Sequence, residues 1–163
     1  AMFIQQNIDL IPLAVLAALL VTAAVGDVRK YIIPNWISIA VAALYPAYVM
    51  LHPQPVDWIG GIIVALCLFG VGFLLHAMGV MGGGDVKLLA AAGLWAGTQY
   101  LIPLLLIMAI SGGVLAIVVM SVRRCRVHVR RYRTRPRRGE GHLPYGVAIA
   151  AGGMTVSVLL AAG

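Results

Sequence analysis

Long apolar runs dominate this sequence and limit what the chain can fold into. Apolar residues make up 62% of its 163 residues and charged residues only 10%, and the mean hydropathy is +1.00. This composition is typical of membrane proteins and differs strongly from that of soluble domains. At about 20 residues per bilayer-crossing helix, the chain holds about six spans with short connections. We therefore expect a single membrane-embedded domain over residues 2–163, with no separate soluble catalytic domain.

The spacing of the runs predicts an all-α bundle of about six transmembrane helices. Clusters of Pro, Gly and charged residues separate the runs. The fourth run has only about twelve residues, which is short for about 30 Å of hydrocarbon. The first run lacks a basic start and a small-residue cleavage site, so we expect it to be a retained span. The expected segments are Leu10 to Val25, Trp36 to Leu51, Val56 to Met78, Val86 to Gly97, Tyr100 to Val122 and Leu143 to Ala162.

The basic residues predict how the bundle is oriented. The chain has 12 Lys and Arg against 5 Asp and Glu, a formal charge of +7. If all six segments cross, every cation falls after the first, third or fifth span, and the positive-inside bias makes that side cytoplasmic. Both termini are then expected outside the cytoplasm. Because orientation accounts for the positive charge, we expect no nucleic-acid partner. The cations are Arg29, Lys30, Lys87 and the arginines between Arg123 and Arg138.

The arginine-rich block from Arg123 to Arg138 has two interpretations. Its position between two spans predicts a topology signal that contacts anionic lipid headgroups. The alternative is a docking site for an acidic assembly partner.

Asp27 and Asp85 are the two acidic residues that simple structural roles explain least well. Asp9 and Asp57 precede the first and third spans, where a helix start or an interface accounts for a carboxylate. Glu140 lies among arginines and is interpreted as a counter-ion. Asp27 follows an apolar span at the end of a helix, where the macrodipole disfavours an anion.

Asp85 follows three glycines, Gly82 to Gly84, at the start of the fourth helix. Its structural interpretation is an N-cap on a glycine-hinged turn. Successive glycines also permit positive φ angles and the close approach of another backbone, as an extended peptide substrate would require. Phosphate-binding patterns such as GxGxxG and GxxxxGK[ST] are absent.

The charge map places Asp27 and Asp85 on the same membrane face, which favours an aspartate dyad. In such a dyad one protonated carboxyl polarises a peptide carbonyl, while the ionised one activates water. The competing class is a small transporter that uses both groups as a proton or cation site. A third possibility is a non-catalytic assembly subunit.

Other catalytic groups give weaker signals. The histidines lack HExxH spacing, and the serines lack a GxSxG context. His76 lies near the glycine loop and is interpreted as a partly hydrated residue at a helix end. Cys67 and Cys125 form no CxxC motif or ligand cluster, so we expect no metal site and no cofactor.

The same residues form motifs that resemble those of the type IV prepilin peptidases, a family of GxGD intramembrane aspartic proteases. The resemblance implies that Asp27 and Asp85 are catalytic. It further implies a prepilin substrate, with a basic leader, a small residue and an apolar helix. The matching segments are Asp27-Val28-Arg29-Lys30-Tyr31-Ile32-Ile33-Pro34-Asn35-Trp36, Gly82-Gly83-Gly84-Asp85-Val86-Lys87-Leu88-Leu89-Ala90 and Pro144-Tyr145-Gly146.

The resemblance also suggests a subtype. Larger members of the family carry a Cys-rich zinc site and an N-methyltransferase activity, and this sequence lacks the Cys tetrad. It is similar to the short, peptidase-only forms that serve tight-adherence (Flp) pili.

Several neighbours of the two Asp are expected to shape the site. The glycines Gly82, Gly83 and Gly84 would let the substrate lie extended. Lys87 would act on Asp85 or on substrate, or anchor in the headgroup layer. The other candidates are Pro34 and Asn35 at the entrance to the second span and Pro144, Tyr145 and Gly146 as a far wall or a plain helix start.

Overall fold

The protein is an all-helical bundle in the part of the chain that the structure describes. The computed structural model describes residues 2–30, 33–52, 55–129 and 145–162, with side chains for 10–29, 33–52, 55–122 and 145–162. These ranges contain six α-helices and no strand, which confirms the predicted fold class. The helices are α1 (Met2–Lys30), α2 (Asn35–Leu51), α3 (Trp58–Ala77), α4 (Gly83–Ala96), α5 (Leu101–Val129) and α6 (Tyr145–Ala162).

Four of these six described helices are long and apolar enough to cross a membrane. Their candidate spans are Leu10–Arg29 in α1, Trp58–Ala77 in α3, Leu101–Val122 in α5 and Tyr145–Ala162 in α6. Helix α2 is apolar but has only 17 residues. Helix α4 has 14 residues and is the shortest of the six, as the sequence predicted.

The short helix α4 lies at the centre of the bundle. It packs against α2, α3, α5 and α6, and α1 closes the ring between α2 and α6. Small side chains permit this close packing, because they let neighbouring backbones approach. At about 1.5 Å per residue α4 is only about 21 Å long. Its buried residues are Asp85, Val86, Leu88, Leu89, Ala91, Ala92, Gly93, Trp95 and Ala96.

Helices α3 and α5 lie at the periphery and expose apolar side chains. Leu66 and Phe73 on α3, and Ile102 and Ile117 on α5, are all more than half exposed. Lipid tails are as apolar as these side chains, so exposure to a bilayer costs them nothing. The exposed surface of α3 and α5 therefore fits a membrane protein.

Helices α1 and α6 pack antiparallel in a fixed register. A Cβ atom added at Gly153 would lie 2.9 Å from Cδ1 of Leu20, and one added at Gly146 would lie 2.8 Å from Oδ2 of Asp27. The two contacts are seven residues apart on both helices, which is two helical turns. Asp27 thus continues the apolar stripe that packs α1 against its neighbours. The stripe comprises Leu13, Leu16, Leu20 and Ala23, all buried.

Two hydrogen bonds show that α2 and α4 run parallel. Lys87 Nζ donates to Asn35 Oδ1 at 3.1 Å, and Trp95 Nε1 donates to the carbonyl oxygen of Val41 at 2.9 Å. The end of the bundle that holds Asp27, Asn35 and Asp85 is called the Asp end below.

The opposite end carries Asp57, which caps α3. Its Oδ1 accepts a hydrogen bond from the Gly60 N–H at 2.9 Å, and this confirms the predicted capping role. Asp9 cannot cap α1, because that helix already begins at Met2. The predicted interfacial role of Asp9 concerns a side chain outside the described residues.

Candidate active site

Asp27 is buried in the last turn of α1 and bound to the start of α6. Its side chain is 4% exposed. Oδ2 accepts a hydrogen bond from the Gly146 N–H at 2.7 Å, and the Val147 N–H also donates to this carboxylate. The α1–α6 register described above places these atoms together.

This contact compensates for the unfavourable dipole that α1 presents to Asp27. The first N–H groups of a helix have no partner within the helix, and its N-terminus carries a partial positive charge. The start of α6 supplies Asp27 with such an N–H donor and with the partial positive charge of its N-terminus. The unfavourable dipole at the end of α1 is therefore offset by a favourable one from α6.

Asp85 lies within the first turn of α4 and is 9% exposed. The N-cap interpretation is wrong, because the helix begins at Gly83 and Gly82 is the N-cap residue. The Asp85 carboxylate instead accepts a hydrogen bond from the Gly82 N–H. This is half of a capping box, in which the third helical residue reaches back to the N-cap N–H.

The glycines before Asp85 allow close approach but do not adopt positive φ angles. Gly82 has φ −71°, and Gly83 and Gly84 are helical. The left-handed residue of this connection is Gly79, with φ 75°. The positive φ angles that these glycines permit are therefore not adopted at Gly82 to Gly84. What approaches is the chain's own backbone, since a Cβ added at Gly84 would lie 3.0 Å from the carbonyl oxygen of Ile33.

The two carboxylates lie close enough to interact electrostatically. Each is held by backbone N–H donors at the start of a different helix, α6 for Asp27 and α4 for Asp85. Two carboxyl groups that interact in this way favour the state in which only one of them is ionised. Such a pair can act as an acid and a base at the same time.

Lys87, Pro34 and Asn35 form the exposed rim of the Asp end. Lys87 donates to Asn35 Oδ1 rather than to Asp85. Pro34 is the N-cap residue of α2, with the extended angles φ −63° and ψ 134°. All three thus lie at the Asp end, and the Lys87–Asn35 hydrogen bond joins α2 to α4.

Of the three residues expected to form the far wall, the structure describes two. Tyr145 is half-buried and begins α6, and Gly146 is buried against Asp27. Pro144 lies outside the described residues. So do the side chains of Lys30 and of the block from Arg123 to Arg138.

The structure adds Ile33 to the site and gives His76 a defined contact. Ile33 is 6% exposed and packs against Gly84 and Gly146. His76 Nδ1 is 2.8 Å from the carbonyl oxygen of Met81, so the ring ties the α3–α4 connection together. Because a carbonyl oxygen only accepts, this contact requires the proton on Nδ1. Ile33 lies within the motif segment from Asp27 to Trp36, but the sequence does not reveal its contacts, because Gly84 and Gly146 come from distant segments.

A pair of buried acidic residues at one end of an apolar helical bundle defines the class of site. Residues 14–117 match the type IV leader peptidase family, and the chain belongs to that family. This confirms the resemblance seen in the sequence. No solved structure matches the chain significantly.

Three relatives show how far the similarity extends, and each is a prepilin leader peptidase/N-methyltransferase. The chain is 36% identical to that of Escherichia coli (strain K12) over 101 residues, 57% of this chain and 44% of the relative. It is 29% identical to that of Burkholderia pseudomallei (strain 1026b) over 160 residues, 94% of this chain and 47% of the relative. It is 33% identical to that of Bacillus subtilis (strain 168) over 101 residues, 58% of this chain and 39% of the relative. The chain thus spans about half the length of the curated relatives it matches, or less.

Proposed function

We propose that this chain cleaves the leader peptide from prepilins by hydrolysis, with Asp27 and Asp85 as the catalytic dyad. The observation that supports this most is the convergence of the two buried carboxylates at the starts of α4 and α6. Both residues lie within the segment 14–117 that matches the leader peptidase family. The names of the relatives support prepilins as the substrate class.

The dyad performs the reaction by general acid–base catalysis. The ionised carboxylate takes a proton from water as the water oxygen bonds to the scissile carbonyl carbon, and the protonated carboxyl donates its proton to the carbonyl oxygen. When the resulting diol collapses, the C–N bond breaks. The amide nitrogen takes the proton gained in the first step, and a diol hydroxyl returns a proton to the other carboxylate. Both carboxyl groups regain their starting states, so neither a covalent intermediate nor a metal enters these steps.

The active site is proposed to face the cytoplasm, with both termini on the other side. The cations support this orientation, because Arg29 and Lys87 belong to the Asp end and the arginine block follows α5. The block from Arg123 to Arg138 is proposed to contact anionic headgroups of an inner membrane.

The substrate is proposed to be a prepilin with a basic leader, a small residue such as Gly at the cleavage site and an apolar helix. Residues 2–163 would form one peptidase domain of the type that serves tight-adherence (Flp) pili. The sequence motifs around Asp27 and Asp85 support the family to which this subtype belongs.

The transport alternative receives less support from the geometry. A proton or cation pathway favours an ionisable group within a span, near the bilayer midplane. Asp27 lies in the last turn of α1, and Asp85 in the first turn of α4. Both groups therefore lie at one end of the bundle.

Co-expression with a tagged prepilin tests the proposed function. The probe carries a Lys/Arg-rich leader, a Gly at the junction and one apolar helix, and processing is read as a gel shift. Wild type is expected to process it, whereas Asp27→Asn and Asp85→Asn are not. Asp57→Asn is the matched control, because Asp57 caps α3 at the opposite end. Full processing by either dyad variant at normal expression would refute the proposal.

A further inference from the structure

Ile33 fills the space between the two helix starts that hold the dyad. Its carbonyl oxygen and Cβ would lie 3.0 Å and 3.3 Å from a Cβ atom added at Gly84. On its other side, its Cδ1 would lie 2.6 Å from a Cβ added at Gly146. Because both neighbours are glycines, Ile33 packs directly against the backbones of α4 and α6.

Each of these glycines is coupled to one catalytic carboxylate. Gly84 immediately precedes Asp85 in the first turn of α4. Gly146 donates its N–H to Asp27 at 2.7 Å. A displacement of either glycine backbone therefore moves a carboxylate or the donor that holds it.

The chain that follows Ile33 is itself held in place. The next residue, Pro34, has a restricted φ angle and caps α2, and its carbonyl oxygen accepts the Ile37 N–H at 3.1 Å. Ile33 is thus a buried side chain directly before an anchored helix start. Close-packed contacts of this kind transmit displacements rather than absorb them.

We infer that Ile33 is a positioning residue that sets the separation of the Asp27 and Asp85 carboxylates. The inference rests on the proposed function, because a defined separation matters only if the two groups act on one substrate. A misplacement of about 1 Å in an active site can cost about 100-fold in rate. Shortening Ile33 is therefore expected to slow the chemical step more than it weakens substrate binding.

The first test measures kcat and KM of purified protein in proteoliposomes with the tagged prepilin described above. Ile33→Ala is expected to lower kcat about tenfold or more and to change KM less than about twofold, whereas Ile33→Val retains most activity. Leu104→Ala is the matched control, since Leu104 is fully buried and packs against Gly152 of α6, away from the dyad. Equal kcat losses in Ile33→Ala and Leu104→Ala would overturn the inference.

A compensating pair tests the contact itself. Gly146→Ala is expected to lower kcat, because the new Cβ collides with Cδ1 of Ile33 and with Asp27. Ile33→Val removes that Cδ1 atom. The kcat of the double variant Gly146→Ala/Ile33→Val is therefore expected to be about threefold or more above that of Gly146→Ala alone. Gly152→Ala, which collides with Leu104 instead, should gain nothing from Ile33→Val. Absence of recovery in the first pair, or equal recovery in both, would overturn the inference.

A third measurement does not depend on activity. Asp27→Cys and Asp85→Cys are combined in one protein with Cys67→Ser and Cys125→Ser, which remove the native thiols. The yield of the cross-link between positions 27 and 85 is then measured with short bifunctional thiosulfonate reagents. Adding Ile33→Ala is expected to change the yield of the shortest cross-link at least about twofold, and adding Leu104→Ala is not. If wild type cleaves no prepilin, the proposed function fails and the cross-link yield alone decides on Ile33. Unchanged yield with Ile33→Ala would refute its positioning role.

Discussion

The hydrogen bond between Asp27 and the start of α6 makes a testable contribution to stability. Two substitutions separate it from the charge of Asp27, because Asp27→Asn and Asp27→Leu both remove the charge at similar volume. Only Asn keeps an oxygen that can accept the Gly146 N–H, which now bonds to Asp27 at 2.7 Å. The difference between the two variants therefore reports the lost acceptor.

The expected size of this difference follows from burial. Asp27 is 4% exposed, so water does not replace the lost acceptor. A buried donor without a partner costs about 1–3 kcal/mol. For a chain of this length about 1 kcal/mol lowers the unfolding midpoint by about 2–4 °C. At about 2 kcal/mol, Asp27→Leu should unfold about 4–8 °C below Asp27→Asn.

The assay is thermal unfolding in detergent, followed by tryptophan fluorescence. Ser38→Ala serves as the control, because the buried Ser38 hydroxyl has no hydrogen-bond partner among the described residues. Its loss should leave the midpoint unchanged or raise it. Equal midpoints for the two Asp27 variants, or a higher one for Leu, would refute the role given to the Gly146 N–H.

Two further predictions concern helix packing and pH. Gly153→Ala should destabilise the protein by about 1–3 kcal/mol, because its Cβ would lie 2.9 Å from the buried Leu20. Gly113→Ala should be neutral or stabilising, because no atom lies within 4 Å of a Cβ added there. Equal thermal unfolding midpoints for Gly153→Ala and Gly113→Ala would contradict the close packing of Gly153 against Leu20. Prepilin cleavage should show a bell-shaped dependence of kcat/KM on pH, because the dyad needs one protonated and one ionised carboxyl. A profile without a maximum would contradict this mechanism.

The sequence allowed the helical architecture and the two central acidic residues to be predicted, because both leave local signals. Apolar runs and breakers mark the helices, and the scarcity of charge isolates Asp27 and Asp85. Helix starts were less predictable: glycines have low helix propensity, yet Gly83 and Gly84 belong to α4. Tertiary packing overrides that propensity, since the chain of Ile33 lies against Gly84.

The partner of Asp27 could not be predicted, because it comes from a distant part of the chain. Asp27 and Gly146 are 119 residues apart, and their hydrogen bond depends on the register of α1 and α6. Nothing local in the sequence sets that register. The same holds for Lys87 and Asn35, which are 52 residues apart. The central place of α4 was equally hidden, since its short apolar run gave the weakest signal of a span.

The most direct test of the central claim is the single-turnover rate of prepilin cleavage in proteoliposomes. Wild type is compared with Asp27→Asn, Asp85→Asn and the double variant. If the two carboxylates act as one unit, each single substitution lowers the rate by about 10²–10⁴-fold, and the double variant is no slower than the slower single one. Near wild-type cleavage by either single variant, or losses that multiply in the double variant, would contradict the dyad.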